Sequence, residues 1–323
     1  MPAITDVPGV LVGHAHDEAA LSGCTVVLTP EGATGGVDVR GGAPGTRETD
    51  LLDPSATVNE VHAVALCGGS AFGLASASGA MQWLAEHGIG LFTPARRVPI
   101  VPAAVIYDLR ASQPDVWANG RLGYAACAAA GPSAPEGCVG VGMGATVGKL
   151  LGPAFAMKSG VGTWSETLAD GTLVGALAVC NAFGDVYEEA SGRVIAGVRH
   201  VEGGALVGAA KLLRQPEIQR GLFRFLAPQH TTLAVVATDA LLTKAEAHKL
   251  AQMAQDGLAR TIRPVHTPFD GDVVFALATG RRPAPNLMVL GTIAADVLAR
   301  AIERSAREAV GMGGLPAARD LQG

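Results

Sequence analysis

Aromatic residues make up only 4% of the 323 residues: three Trp, three Tyr and eight Phe. That excludes a core organised around large rings, so packing falls to Ala, Val and Leu in closely spaced layers. Charge is also sparse, at 16%, with 24 basic against 29 acidic residues and no basic run. The net charge of −5 and the missing basic stripe exclude the electrostatic footprint of a nucleic-acid binder. Five cysteines, an odd number with no Cys-x-x-Cys spacing, make no disulfide framework or zinc ribbon, and four lie in apolar or small-residue surroundings. Buried, reduced thiols are expected. No apolar run reaches membrane-span length without Gly, Pro or a charge, and no basic n-region precedes a long apolar stretch. A soluble, cytoplasmic protein with no membrane partner is expected. His14, His16, His62 and His266 do not form a spaced ligand set such as His-x-x-x-His, so no metal is expected.

What is present is an apolar fraction of 49% together with 43 glycines, in a chain long enough for one large domain or two ordinary ones. Residues 4–60 read as short strands and turns, with glycine pairs at Gly35-Gly36 and Gly41-Gly42 marking bends. Arg40 and Arg47 in this region suit structural ion pairs. A buried strand is predicted over Val61–Cys67, then a helix from Ser70 to about His87 whose small residues allow close approach to a neighbour. Leu173–Gly184 reads as a central strand ending on Asn181. Thr243-Lys244-Ala245-Glu246 is a capping box that opens a helix to about Arg260. Phe269-Asp270-Gly271-Asp272 reads as a turn before a strand at Val273–Ala278. A long helix spans roughly Asn286 to Val310, followed by a tail from Met312. No internal repeat is evident. Strand–helix alternation by itself allows a parallel α/β sheet.

Two familiar chemistries fail on spacing. Ser70 follows a strand and opens a helix, but a nucleophile elbow needs Gly-x-Ser-x-Gly and position 72 is Phe. Gly69 and Ser70 are therefore read as a helix cap, or as a backbone donor site facing the substrate cleft. A phosphate loop ending at Gly148-Lys149 would place its first glycine on Met143 and its hydroxyl on Leu150, so a nucleotide site is rejected. The glycines of Val139 to Lys149 instead let the backbone pass close to a substrate or another strand.

The informative stretch is Gln229-His230-Thr231-Thr232-Leu233-Ala234-Val235-Val236-Ala237-Thr238-Asp239. It combines two threonines with a β-branched run of buried-strand length. The preceding residues, Phe223 to His230, contain Pro228 and suit a loop. A threonine can simply start a strand. If the chain were cut before Thr231, however, its hydroxyl would sit beside a free α-amine of pKa about 7.7–8.0, able to take the hydroxyl proton near neutral pH.

His-Thr-Thr-Leu-Ala-Val-Val-Ala-Thr-Asp resembles the nucleophile segment of the self-processing L-aminopeptidase/D-esterase family, which includes β-peptidyl aminopeptidases and nylon-oligomer hydrolases. Val37–Asp50 and Phe155–Thr163 are further family-like blocks, and the likeness runs nearly end to end from Ile4. The resembling Thr enzymes usually carry Asn before the nucleophile, where this chain has His230. The resemblance implies an αββα sandwich in one domain over 1–323, self-cut into a larger subunit, 1–230, and a smaller one, 231–323. It implies Thr231 as nucleophile and Asn181 as the side-chain amide facing the oxyanion. Tyr107 and Lys149 fall at the positions that orient the hydroxyl and stabilise charge, with Lys158 as the alternative lysine. Asp270 and Asp272 match paired acids near the nucleophile. No cofactor is implied.

The resulting expectation is an N-terminal-threonine hydrolase for small peptides, amides or ω-amino-acid oligomers, assembled as a homo-oligomer, a tetramer of αβ units. Two alternatives stand beside it: an acyltransferase with the logic of the threonine-nucleophile acetyltransferases of ornithine synthesis, and an uncleaved, non-catalytic binding homologue.

Overall fold

Alternate residues of the strand Thr231–Ala240 face two different cores. Leu233, Val235 and Ala237 pack with Val64, Leu66, Leu177, Val179 and Phe275, whereas Ala234, Val236 and Ala240 pack with Leu250, Leu258, Leu290 and Leu298. A strand buried on both faces is apolar through its middle, here Leu233 to Ala237, and this one is buried at every position. The computed structural model describes residues 1–109, 117–200, 204–221 and 230–321. The loop expected at Phe223–Gln229 lies outside them.

The strand sits in a nine-stranded sheet. Its neighbours are Leu173–Asn181, antiparallel, and Val273–Arg282, parallel. The long strand Ser22–Val39 joins two halves of this sheet. Its first part pairs with Leu11–Asp17 and Glu60–Cys67, and its second part pairs with Val273–Arg282. A register shift between Leu28 and Ala33 lies between the two parts. The halves fold onto each other over the inner core that contains Leu233 and Phe275. Helices Ala75–Glu86 and Gly120–Ala128 cover the outside of the first half through Ala77, Ala80, Leu84, Leu122 and Ala126. Helices Lys244–Thr261 and Leu287–Arg307 cover the other. The result is the expected αββα order of layers in one domain, with both β layers drawn from one continuous hydrogen-bonded sheet.

The parallel sheet that the strand–helix pattern allows is realised only locally. Thr231–Ala240 and Val273–Arg282 are parallel neighbours joined through the helix Lys244–Thr261, and Glu60–Cys67 pairs in parallel with Ala103–Val105. The long-range pairings around them are otherwise antiparallel. Gly41 and Gly42 lie in a bend as expected, but the other glycine pair does not. Gly35 and Gly36 lie inside the long strand, and a Cβ on Gly36 would come within 2.3 Å of the Ala247 backbone. Gly36 lets a helix approach rather than turning the chain, and Gly35 leaves room for Val61 and Leu52.

Helix ends follow local chemistry. Thr243 and Glu246 make both bonds of the capping box, and the Asn286 side chain accepts from Met288 N–H at 2.8 Å. The expected helix from Ser70 is two pieces, Ser70–Gly73 and Ala75–Glu86. The C-terminal segment is less tail-like than expected, because Ala317 and Ala318 are buried and Lys158 N–H donates to Pro316 O. All five cysteines are free thiols, four of them buried.

Candidate active site

Thr231 opens its strand and is 5% exposed. Its cross-strand partner is Asn181, the last residue of its own strand. On the other side the parallel register continues outward to a bridge between His230 and Asp270. The turn expected over Phe269–Asp272 is realised only at Phe269, and from Asp270 the chain runs beside the segment that contains Thr231.

The Thr231 hydroxyl donates to the carbonyl oxygen of His230 at 2.5 Å. The same oxygen accepts Gly271 N–H at 2.8 Å. Gly271 is the site residue that the sequence reading missed. Its signal was the glycine between two acids: a Cβ there would lie 2.8 Å from Thr231 Oγ and 2.7 Å from Ala43 O.

Asn181 is fully buried and held from three directions. Its Oδ1 accepts Lys149 Nζ at 2.6 Å and Thr146 N–H at 3.1 Å, and its Nδ2 donates to Tyr107 O at 3.2 Å. Lys149 Nζ also donates to Asn181 O at 2.9 Å. Burial lowers the Lys149 ammonium to about 7, with nearby Cys180, Asp270 and Asp108 opposing that shift. Tyr107 enters the cluster through its carbonyl. Lys158, the alternative lysine, lies across from Thr146 and is buried, and it donates to Met143 O and Ala145 O.

The two acids are both 1% exposed. Asp270 Oδ2 accepts the backbone N–H and hydroxyl of Thr267, and its Oδ1 faces Phe183 N–H at 3.4 Å. Asp272 Oδ1 accepts Thr232 N–H at 2.7 Å, and its Oδ2 meets the backbone N–H and Nδ1 of His266 at 3.1 and 2.9 Å. Burial, then repulsion from Asp272, raises Asp270 to about 6. Asp272 therefore anchors the backbone just after Thr231, Asp270 holds the neighbouring Thr267 and Phe183 segments, and the Thr231 hydroxyl bonds to His230 O.

His230 is held apart from water, its ring 5.0 Å from that of Phe183. Burial first and Lys149 second lower its imidazole to about 3, so it is neutral at physiological pH rather than titrating near 6.5. Gly69 and Ser70 need a correction as amide donors. Gly68 N–H donates to Gly23 O, Gly69 N–H to Asp108 Oδ1 at 2.5 Å, and Ser70 N–H to Ile106 O. The turn, with φ of +88° at Gly69 and +53° at Ser70, consumes all three donors internally. Gly69, not Ser70, occupies the cap position of the short helix. Among the described residues, no group of three or more His, Cys, Asp or Glu could hold a metal ion.

A hydroxyl on the preceding carbonyl, a fixed side-chain amide and a half-buried lysine thus meet at one strand end. The model of peptidase family S58 matches residues 2–323. The chain belongs to peptidase family S58. An uncharacterised aminopeptidase of Mycobacterium tuberculosis is 44% identical over 351 residues, covering 99% of this chain and 98% of the relative. A 6-aminohexanoate-oligomer endohydrolase of Kocuria sp. is 32% identical over 321 residues, covering 94% and 85%. Among solved structures, a β-aminopeptidase of Burkholderia sp. matches with a TM-score of 0.67 at 23% identity, covering 98% of this chain and 91% of that one. The L-aminopeptidase D-Ala-esterase/amidase of Ochrobactrum anthropi, described as a variant of the Ntn-hydrolase fold, matches with a TM-score of 0.68 at 20% identity, covering 97% and 88%. This S58 chain thus shares their fold, and no described helix is long and apolar enough to cross a membrane.

Proposed function

We propose that this chain is a self-processing amide hydrolase whose mature nucleophile is Thr231, freed as the N-terminus of a 231–323 subunit. The observation that carries the reading is the 2.5 Å contact of the Thr231 hydroxyl with the His230 carbonyl at the mouth of a rigid strand. Attack by Oγ on that carbonyl carbon forms an ester. The His230–Thr231 C–N bond breaks, and the hydroxyl proton ends on the liberated nitrogen. Water then hydrolyses the ester, giving the His230 carboxylate and restoring the Thr231 hydroxyl.

In turnover the α-amine of Thr231 takes the hydroxyl proton as Oγ attacks a substrate amide, and an acyl-threonine ester forms. Asn181 supplies a preorganised donor to the oxyanion. Lys149, close to neutral pKa through burial, fixes Asn181 and stabilises developing negative charge. Asp270 and Asp272 stabilise the ammonium that forms when the α-amine takes the hydroxyl proton. Small peptides, amides or ω-amino-acid oligomers are the substrate class, in line with the names of the relatives, and the αβ units assemble as a homo-oligomer.

The test is intact mass and N-terminal sequencing of purified protein. Two chains are expected, the smaller beginning Thr-Thr-Leu-Ala. Thr231→Ala is expected to give one folded, inactive chain of 32.6 kDa. A start at any other residue removes Thr231 from this role.

A further inference from the structure

We infer that the backbone N–H of Gly271 is the oxyanion donor for self-cleavage, a donor separate from the Asn181 side chain. This rests on the reading of Thr231 as the self-cleaving nucleophile.

Two donors reach the His230 carbonyl oxygen in the uncut chain, the Thr231 hydroxyl and Gly271 N–H. The hydroxyl cannot stay, because its oxygen becomes the nucleophile and its proton moves towards the leaving nitrogen. As the Oγ–C bond forms and the carbonyl π electrons move onto oxygen, Gly271 N–H is the donor already in place, at 2.8 Å. When the C–N bond breaks the oxygen returns to an ester carbonyl on the same donor. Asn181 points elsewhere in the uncut chain, with its Nδ2 on Tyr107 O and its Oδ1 under Lys149.

The donor is fixed before the reaction begins. On one side of Gly271, Asp270 O accepts Ala43 N–H and the Asp270 carboxylate accepts Thr267. On the other, Asp272 O accepts Arg40 and Gly41 N–H, and Asp272 Oδ1 accepts Thr232 N–H. Bonds on both flanks set the plane of the Gly271 amide, which is the preorganisation an oxyanion donor needs. Glycine is required by space: its φ is not left-handed, and a Cβ would press on Thr231 Oγ and Ala43 O.

A side-chain substitution cannot remove an N–H, so the test replaces one backbone amide by an ester. The full chain is made by cell-free translation with glycolic acid in place of Gly271. A control chain carries glycolic acid in place of Gly42, which deletes the nearby 3.3 Å bond to Thr267 O and leaves Gly271 N–H and the bonds on its flanks intact. Appearance of the 1–230 and 231–323 fragments is followed by intact mass at pH 7 and normalised to the protease-resistant, folded fraction. Maturation of the Gly271 ester is expected to slow by roughly a hundred- to a thousandfold, and that of the Gly42 ester by no more than about threefold. Parental-rate maturation of the Gly271 ester overturns the inference. Equal slowing of both esters also overturns it, since the segment would then be merely structural. A parental chain that is not cut before Thr231 removes the inference and the nucleophile reading together, so the two failures are distinguishable.

Discussion

Lys149 Nζ lies 2.6 Å from Asn181 Oδ1, which decides which way the Asn181 amide points. An ammonium can only donate, so the carbonyl end faces the lysine and the NH₂ end is turned towards Tyr107 O. The lysine thus orients the amide as well as contributing charge.

This relation makes Asn181 the sharpest mutational test. Asn181→Ala is expected to lower turnover of cleaved, folded enzyme by roughly a hundred- to a thousandfold with little change in KM. Asn181→Asp should be worse, because its carboxylate pairs with Lys149 while an acceptor replaces the donor. A purely structural Asn would instead lower the melting temperature, with residual activity following the folded fraction.

His230 predicts an acid-labile precursor. Its folded pKa, about 3, lies below the ordinary 6.5, so unfolded chain binds the proton more readily. The stability it contributes is complete above pH 6.5 and is lost as pH falls towards 3. In the uncleavable Thr231→Ala chain, His230→Gln should reduce the stability loss between pH 7 and 4.5 by about 2 kcal/mol. Urea denaturation at the two pH values measures the difference. An unchanged loss would place the imidazole in water.

Helix contact supplies a stability prediction remote from the chemistry. A Cβ on Gly79 would lie 1.8 Å from Gly120 O, and one on Gly123 would lie 1.8 Å from Ser76 O. Gly79→Val should cost about 3 kcal/mol or more, because a helix backbone, rather than a flexible side chain, must move. Thermal unfolding of the Thr231→Ala background reads this without interference from maturation.

Assembly is expected from surface left apolar on the single chain. Phe72, Phe92, Leu241 and Met288 are 59%, 74%, 62% and 68% exposed. Light scattering at micromolar concentration should give the mass of several αβ units, with four expected, and a single-unit mass would contradict this.

Much of the site was legible because its chemistry depends on residue type. Thr231 stood out as a hydroxyl at the start of a β-branched run, and Asn181 as the polar end of an apolar one. The structure makes them direct cross-strand partners. Asp270 and Asp272 were visible as a pair, but their i, i+2 geometry depended on whether the segment was a turn or extended. Pairing with His230 decided that.

By itself the sequence determined which segments are apolar strands and helices and the cap at Thr243, since periodicity and capping are local properties, while the αββα layering and Thr231 as candidate nucleophile came from the family resemblance. Only the tertiary structure decided where backbone donors point. Gly68, Gly69 and Ser70 offered amides in the sequence, and the fold uses all of them on Gly23, Asp108 and Ile106. Gly271 looked like a turn residue, and strand register places its N–H on the carbonyl before Thr231. The titration of Lys149 and His230 was likewise set by burial, which no single residue encodes. Hydrogen-bond direction and desolvation arise from segments far apart in the chain, and they exist only once those segments have packed.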